Sequence, residues 1–276
     1  FKIRIGAREY VDLPTLNVPQ MLQAMTDYNG ASTTACPSPE EWAEKFMQAD
    51  NVLAITISSN LSGSYNSALI DNRIIGFLAG VLFRPGALPR GRVALCVYGG
   101  LSTLILYGAI VNFGSLLMFG NTALNWAGLL AVYASGLPFD EVVREWEIWF
   151  QGRQVLFALA SFDNLVKNGR LSRLAGFMAG VMSMRAVGRG SEDGKLEMLH
   201  KTRGETRMLA LLLEEMDHRG YQGLEPAVIS HCQNEKAALM LKNGIEKKWP
   251  GAKVVVLPCS GLTSFYAETG GIIVGY

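Results

Sequence analysis

Charge is scarce in this chain: 25 Lys and Arg against 24 Asp and Glu leave a net +1 over 276 residues, and only 18% of residues are charged. Without a basic surplus there is no electrostatic footprint for nucleic acid, and with 49% hydrophobic residues extended disorder is excluded. Cysteine is equally sparse. Cys36, Cys96, Cys232 and Cys259 stand far apart with no paired spacing, which argues against a disulfide framework or a cysteine zinc site and suits a reducing cytoplasm. His200, His218 and His231 are the only histidines, and none neighbours a Ser in a nucleophile elbow. No His, Cys, Asp or Glu spacing repeats at one or two helical turns, so neither a metal nor a cofactor is expected. A G-x-x-x-x-G-K-[ST] loop is also missing, which argues against a nucleotide-hydrolysing core. No signal peptide precedes the first segment, and Phe1 rather than Met opens the chain, which therefore reads as a fragment.

The most unusual absence is local. No Asp, Glu, Lys, Arg or His stands between Arg92 and Asp140. Within that gap Val93 to Phe119 is apolar for longer than the ~20 residues a membrane helix needs. IIGFLAGVLF (74–83) precedes it, and the intervening loop carries Arg84, Arg90 and Arg92 without an acid, as cytoplasmic loops between membrane helices do. The plainer alternative is a buried helix pair or a parallel-sheet core; the membrane reading is preferred for this window taken alone.

The flanks carry ordinary charge and alternate strand-like with helix-like runs. NVLAITI (51–57), AKVVVLP (252–258) and GIIVGY (271–276) are short β-branched strands. Ser38-Pro39-Glu40-Glu41 forms a capping box that should start a helix running to about Met47. Glu192-Asp193-Gly194-Lys195 supplies a turn between Arg185–Arg189 and Lys195–Leu199, so an antiparallel hairpin is expected. LSRLAGFMAGVMSM (171–184) reads as a helix packed on that sheet through Gly176 and Gly180.

Chemistry is most readily sited where the strand NVLAITI runs into the hydroxyl-rich SSNLSGSYNSA (58–68). Ligands in open α/β sheets bind beyond the carboxyl ends of strands, so Ser58, Ser59, Ser62 and Ser64 around Gly63 could hold an anionic head group. The same hydroxyls could equally do no more than cap the next helix. A second hydroxyl loop, ASTTACPSP (31–39), brings Ser32, Thr33 and Thr34 ahead of the capped helix. Asn168-Gly169-Arg170 follows the apolar run VLFALASFDNLV; its guanidinium could grip a carboxylate or phosphate, though most such Arg residues are surface ion-pair partners.

TTACPSP (33–39), ITISSNLSGSYNSA (55–68), SFDNLVKNGRLSRLAG (161–176) and DGKLEMLHKTRG (193–204) together resemble the DegV family of bacterial fatty-acid-binding proteins. That resemblance implies an α/β fold of two domains, with one fatty acid buried between them. Residues 1–150 would form an N-terminal α/β domain on a mainly parallel sheet, and 151–276 a C-terminal α+β domain. It implies that Thr34 and Ser62 meet the acyl carboxylate and that Phe177 and Met178 line the acyl chain. Arg170, in the family's G-R-[IL] motif, would sit at the mouth, where members present the carboxylate to a separate fatty acid kinase for phosphorylation. In many members a His-containing stretch near the C-terminus reaches the head group, and SGLTSFYAETGG (260–271) puts Tyr266 at that place. The family's opening strand with its T-D-S segment is absent from this sequence. The chain would be a carrier rather than an enzyme.

Residues 73–139 resemble instead the membrane substrate-binding subunit of an energy-coupling-factor vitamin transporter, in RIIGFLAGVLFRPGALPRGRVAL and YGAIVNFGSLLMF. On that resemblance the chain is a mosaic, with membrane association through 74–138. The alternative function is then a membrane-embedded component that binds a vitamin-like solute. An acyl-handling hydrolase would need a base near Ser62, and none is evident.

Overall fold

The computed structural model describes residues 1–47, 51–57, 59–68, 92–98, 138, 141, 144, 153–169, 184–191 and 194–276. The expected helix at 171–184 falls outside these residues up to Met184, which opens a strand.

The chain starts with a small antiparallel sheet that the sequence reading did not anticipate. Strands β1 (Lys2–Ile5) and β2 (Arg8–Val11) form a hairpin, and β3 (Thr33–Ala35) pairs with the other edge of β1. Gly6 makes the turn at φ +58°, a conformation that favours glycine. In β1 the alternation Lys-Ile-Arg-Ile buries Ile3 and Ile5 on one face. Residues 33–35 are therefore a strand and not the loop expected from their hydroxyls. Helix α1 (Val18–Asp27) is started by Asn17, whose side chain accepts from the Gln20 N–H. Helix α2 (Pro39–Phe46) begins with the expected capping box at Ser38 and Glu41.

Strands β4 (Asn51–Ile57) and β5 (Arg92–Tyr98) pair in parallel, with Asn51 opposite Arg92 and Ile57 opposite Tyr98. This corrects the reading of Val93–Phe119 as one membrane helix, because its first six residues are strand. The physical reason is that strands of parallel sheets read as continuous apolar runs, which periodicity does not separate from apolar helices. Among the described residues no helix is long and apolar enough to cross a membrane.

The rest of the described chain is built on a mixed sheet of order β10-β9-β11-β6-β7-β8. Its strands are β6 (Val155–Leu159), β7 (Met184–Gly190), β8 (Leu196–Arg203), β9 (Ala227–His231), β10 (Val254–Pro258) and β11 (Ile272–Gly275). The expected hairpin is β7–β8. Both faces of the sheet are covered, so all five residues of β6 are buried. Leu156 and Ala158 face helices α4 (Glu205–His218) and α5 (Glu235–Lys248). Val155, Phe157 and Leu159 face the other way, into a core shared with Ile3, Ile5, Met21, Leu22 and Phe265. That second face is covered by α1, the N-terminal sheet, and two short helices, α3 (Asp163–Lys167) and α6 (Gly261–Ala267). The architecture is thus mixed α/β, with helices against its sheets.

Candidate functional site

A cavity of about 250 Å³ lies on the β6 face that the N-terminal sheet covers. Its floor is apolar: Phe157 on β6, its cross-strand partner Ile273 on β11, Leu159, Leu165 and Leu196. Gly188 of β7 sits opposite Phe157, and the ring lies over it. A methyl group at Gly188 would stand 2.4 Å from Phe157 Cζ and 2.4 Å from the Glu197 carbonyl oxygen, so the close approach requires glycine.

One end of the cavity is polar, and three separate segments build it. From the first, β3 brings Thr34 and Ala35, with Cys36 next. From the second come Leu61, Ser62 and Gly63. From the third, α6 brings Leu262, Thr263, Tyr266 and Ala267. Thr34 Oγ1 and the Tyr266 hydroxyl are hydrogen-bonded at 2.7 Å across 232 residues of sequence. Ser62 Oγ accepts the Ser64 N–H at 3.2 Å, a bond that leaves its own proton unused. The first two segments are fastened together by Ser67 Oγ, which donates to the Pro37 carbonyl at 2.7 Å.

Asparagines complete the frame around this end. Asn168 Nδ2 donates to the Ser32 carbonyl at 3.1 Å, tying α3 to the start of β3. Asn164 Nδ2 donates to the Phe265 carbonyl at 3.0 Å, and its backbone N–H donates to Glu268 Oε1 at 2.9 Å. Glu268 holds φ at +51°, uncommon for a residue with a Cβ. Burial raises its pKa, against the lowering pull of that backbone bond.

No Lys, Arg, Asp or Glu is among the described residues lining the cavity. Nor is there, among the described residues, a group of three His, Cys, Asp or Glu able to hold a metal ion. The arrangement can therefore offer neutral hydroxyl donors to one polar group and apolar walls to whatever is attached to it. His231 stands apart from this lining, and burial lowers its pKa.

Four of the residues singled out from sequence, Thr34, Ser62, Gly63 and Tyr266, are brought together here. Ser59 is exposed and is not in the lining. Arg170, Phe177 and Met178, like Ser58, lie outside the described residues. The residues missed were Cys36, Thr263 and the floor around Phe157. Cys36 and Thr263 flank recognised positions in sequence, whereas nothing local marks Phe157 as different from its neighbours on β6.

A family model described as an uncharacterised protein of the DegV family matches residues 1–276. A DegV domain-containing protein of Streptococcus gordonii is 35% identical over 274 residues, which is 99% of this chain and 88% of that protein. Among solved structures, the Streptococcus pneumoniae Fatty Acid Kinase (Fak) B3 protein loaded with linoleic acid is similar at TM-score 0.81 and 34% identity, over 100% of this chain and 88% of that one. A DegV family protein from Eubacterium eligens loaded with heptadecanoic acid is similar at TM-score 0.80 and 27% identity, over 99% of this chain and 90% of that one. The family match runs unbroken through 73–139, so that window is family sequence and the transporter resemblance has no support.

Proposed function

The chain belongs to the DegV family, and on that premise we propose that it binds a long-chain fatty acid and presents the carboxylate to a fatty acid kinase. The observation that carries this reading is the cavity itself. It is apolar along its floor and ends at Thr34, Ser62 and Tyr266, the positions where the family resemblance puts an acyl head group. Two relatives alike over nearly all of the chain carry linoleic and heptadecanoic acid. Residues from both sides of position 150 line the cavity, which supports the reading of a ligand held between two domains. Burying a methylene is worth roughly 0.8 kcal/mol, so a long tail contributes on the order of 10 kcal/mol before ordering costs. The head-group hydroxyls need only orient it. The chain is on this reading a carrier without catalysis of its own.

Mass spectrometry of the purified protein should find co-purified acyl chains. After delipidation, oleate or palmitate at 100 times its Kd should stabilise the fold by about 2.7 kcal/mol, read as a rise in Tm. An unchanged Tm with either acid refutes the reading. The kinase step is tested separately: with ATP and a fatty acid kinase, the γ-phosphoryl group passes to the bound carboxylate oxygen and ADP leaves. Arg170→Ala, chosen from the family motif, should spare oleate binding and slow that transfer; normal turnover refutes its role.

A further inference from the structure

We infer that Asp12 is a positioning residue for the head-group hydroxyl pair: its carboxylate sets helix α6 against the N-terminal sheet and so holds Tyr266 within reach of Thr34. The inference rests on the fatty-acid reading above.

Helix α6 is seven residues long, too short to be stable by itself. Its first N–H groups need acceptors. Ser260, at the cap position, gives no side-chain cap bond, and its hydroxyl turns to Thr263 Oγ1 at 3.4 Å. Asp12 does the capping from 249 residues away, with Oδ1 accepting the Gly261 N–H at 2.9 Å and Oδ2 accepting the Leu262 N–H at 3.0 Å. The side chain is in the interior, the residue being 2% exposed. The fit is close: a Cβ on Gly261 would lie 2.7 Å from Asp12 Oδ1 and 2.3 Å from Leu16 Cδ2. Asp12 also donates its backbone N–H to the Phe1 carbonyl at 3.0 Å, fixing it to the start of β1.

Two contacts thus clamp one helix to one sheet. Asp12 follows β2 and holds the first turn of α6. Thr34 lies on β3 of the same sheet and meets Tyr266 on the second turn. Leu262, Thr263, Tyr266 and Ala267, all of α6, line the cavity between those contacts and β6. A rigid one-turn lever leaves Tyr266 little choice of position once Gly261 and Leu262 are fixed. Loss of the carboxylate also strands two buried N–H groups, which the helix can satisfy only by moving. The effect on ligand therefore passes through Tyr266 and not through Asp12 itself, which does not line the cavity.

The test compares Asp12→Asn, which keeps the side-chain shape but opposes an N–H₂ to a backbone N–H, with Tyr266→Phe and with the double variant. The first readout needs no ligand: in protein carrying 13C-labelled tyrosine, the Tyr266 Cζ resonance, assigned from Tyr266→Phe, should move in Asp12→Asn as its hydrogen bond to Thr34 lengthens. The second is oleate affinity, expected to fall about tenfold in Asp12→Asn, the size of one lost hydrogen bond to a charged group. Tyr266→Phe should then cost less than about twofold more in the Asp12→Asn background, because the two act on one contact. Gly261→Ala displaces the same contact from the helix side and carries the same test should Asp12→Asn fail to fold. An unmoved Tyr266 resonance in a folded variant overturns the inference, as do fully additive losses of affinity. If the wild type does not bind oleate, the fatty-acid reading fails while the resonance still decides what Asp12 holds in place.

Discussion

The hydrogen bond between Thr34 and Tyr266 makes the sharpest prediction, because it ties stability to binding. The two oxygens are 2.7 Å apart, so one hydroxyl donates to the other and a single proton is left to offer. A carboxylate that takes the free proton receives a bond polarised by the one behind it, a relay in which both residues act as a unit. Thr34→Val or Tyr266→Phe should each cost about 0.5 to 1.5 kcal/mol of stability, since the pair is partly buried. At about 2 to 4 °C per kcal/mol for a chain of this size, melting curves resolve that loss. The double variant should melt no lower than the worse single one, having only the same bond to lose. Oleate titration should show each single change weakening binding by about 1.5 to 3 kcal/mol, the range for a hydrogen bond to a charged group. The double variant should again fall short of the sum by more than the ~0.5 kcal/mol scatter of independent sites. Additive losses in both assays would refute the relay, and undiminished binding in the double variant would remove Thr34 and Tyr266 as ligands.

Three further outcomes are expected. Gly188→Ala drives a methyl into Phe157 and the Glu197 carbonyl, each 2.4 Å away, so denaturant unfolding should show a loss of about 1 to 3 kcal/mol with weaker oleate binding; unchanged values would show that the ring does not depend on that glycine. Cys36 lines the cavity, whereas burial pushes the Cys232 thiol up to about 11 and the Cys259 thiol well above its usual value. Iodoacetamide followed by peptide mass spectrometry should thus find Cys36 alkylated and protected by oleate, with Cys232 and Cys259 untouched in the native protein; equal labelling with and without oleate would place the ligand elsewhere. Burial pushes Glu215 up, but His200 at 2.6 Å and Arg219 at 3.0 Å outweigh it and hold the carboxyl below its ordinary 4.5. A carboxylate depressed in the fold gives stability present above its ordinary pKa and lost as pH falls through the lowered value. Glu215→Gln should accordingly be less stable at pH 7 and lose less as pH falls from the ordinary 4.5 through the lowered value; an unaltered pH slope over that window would refute the assignment.

What the sequence made legible were features whose signal is local. The capping box at Ser38, the strands β4, β10 and β11 and the β7–β8 hairpin each depend on a few adjacent residues, and each was read with its approximate limits. The N-terminal hairpin was missed although Lys2–Ile5 alternates, because its strands are four residues long and half polar. Residues 33–35 looked like a loop because Ser and Thr favour turns; their strand exists only through pairing with β1, some thirty positions earlier. The apolar window after Arg92 misled for a different reason, since hydropathy alone does not separate a parallel strand from a membrane helix. Of the site, Ser62 and Gly63 came from the hydroxyl-rich loop after β4, Thr34 from the hydroxyl loop ahead of the capped helix and Tyr266 from the family resemblance, and their meeting at one cavity end depends on contacts such as Asp12 to Gly261 that leave no trace in local sequence.

The chemistry of the lining bears on why a carrier would use hydroxyls at all. A buried cation would bind a carboxylate through a strong charge-assisted pair, and breaking that pair on transfer would leave an uncompensated charge inside the protein. Thr34 and Tyr266 leave no such charge, because both are neutral and they hydrogen-bond one another. The tail, at roughly 0.8 kcal/mol per methylene, can supply the affinity that the head group then need not. On the proposed fatty-acid reading, holding the head weakly and the tail strongly would allow the carboxylate to be exposed to a second protein while the acyl chain stays in the cavity. The same division explains the rigid framing of the polar end by Asn164, Asn168 and Asp12. Weak donors discriminate only if they are held in place, so the frame supplies by position what the hydroxyls lack in charge.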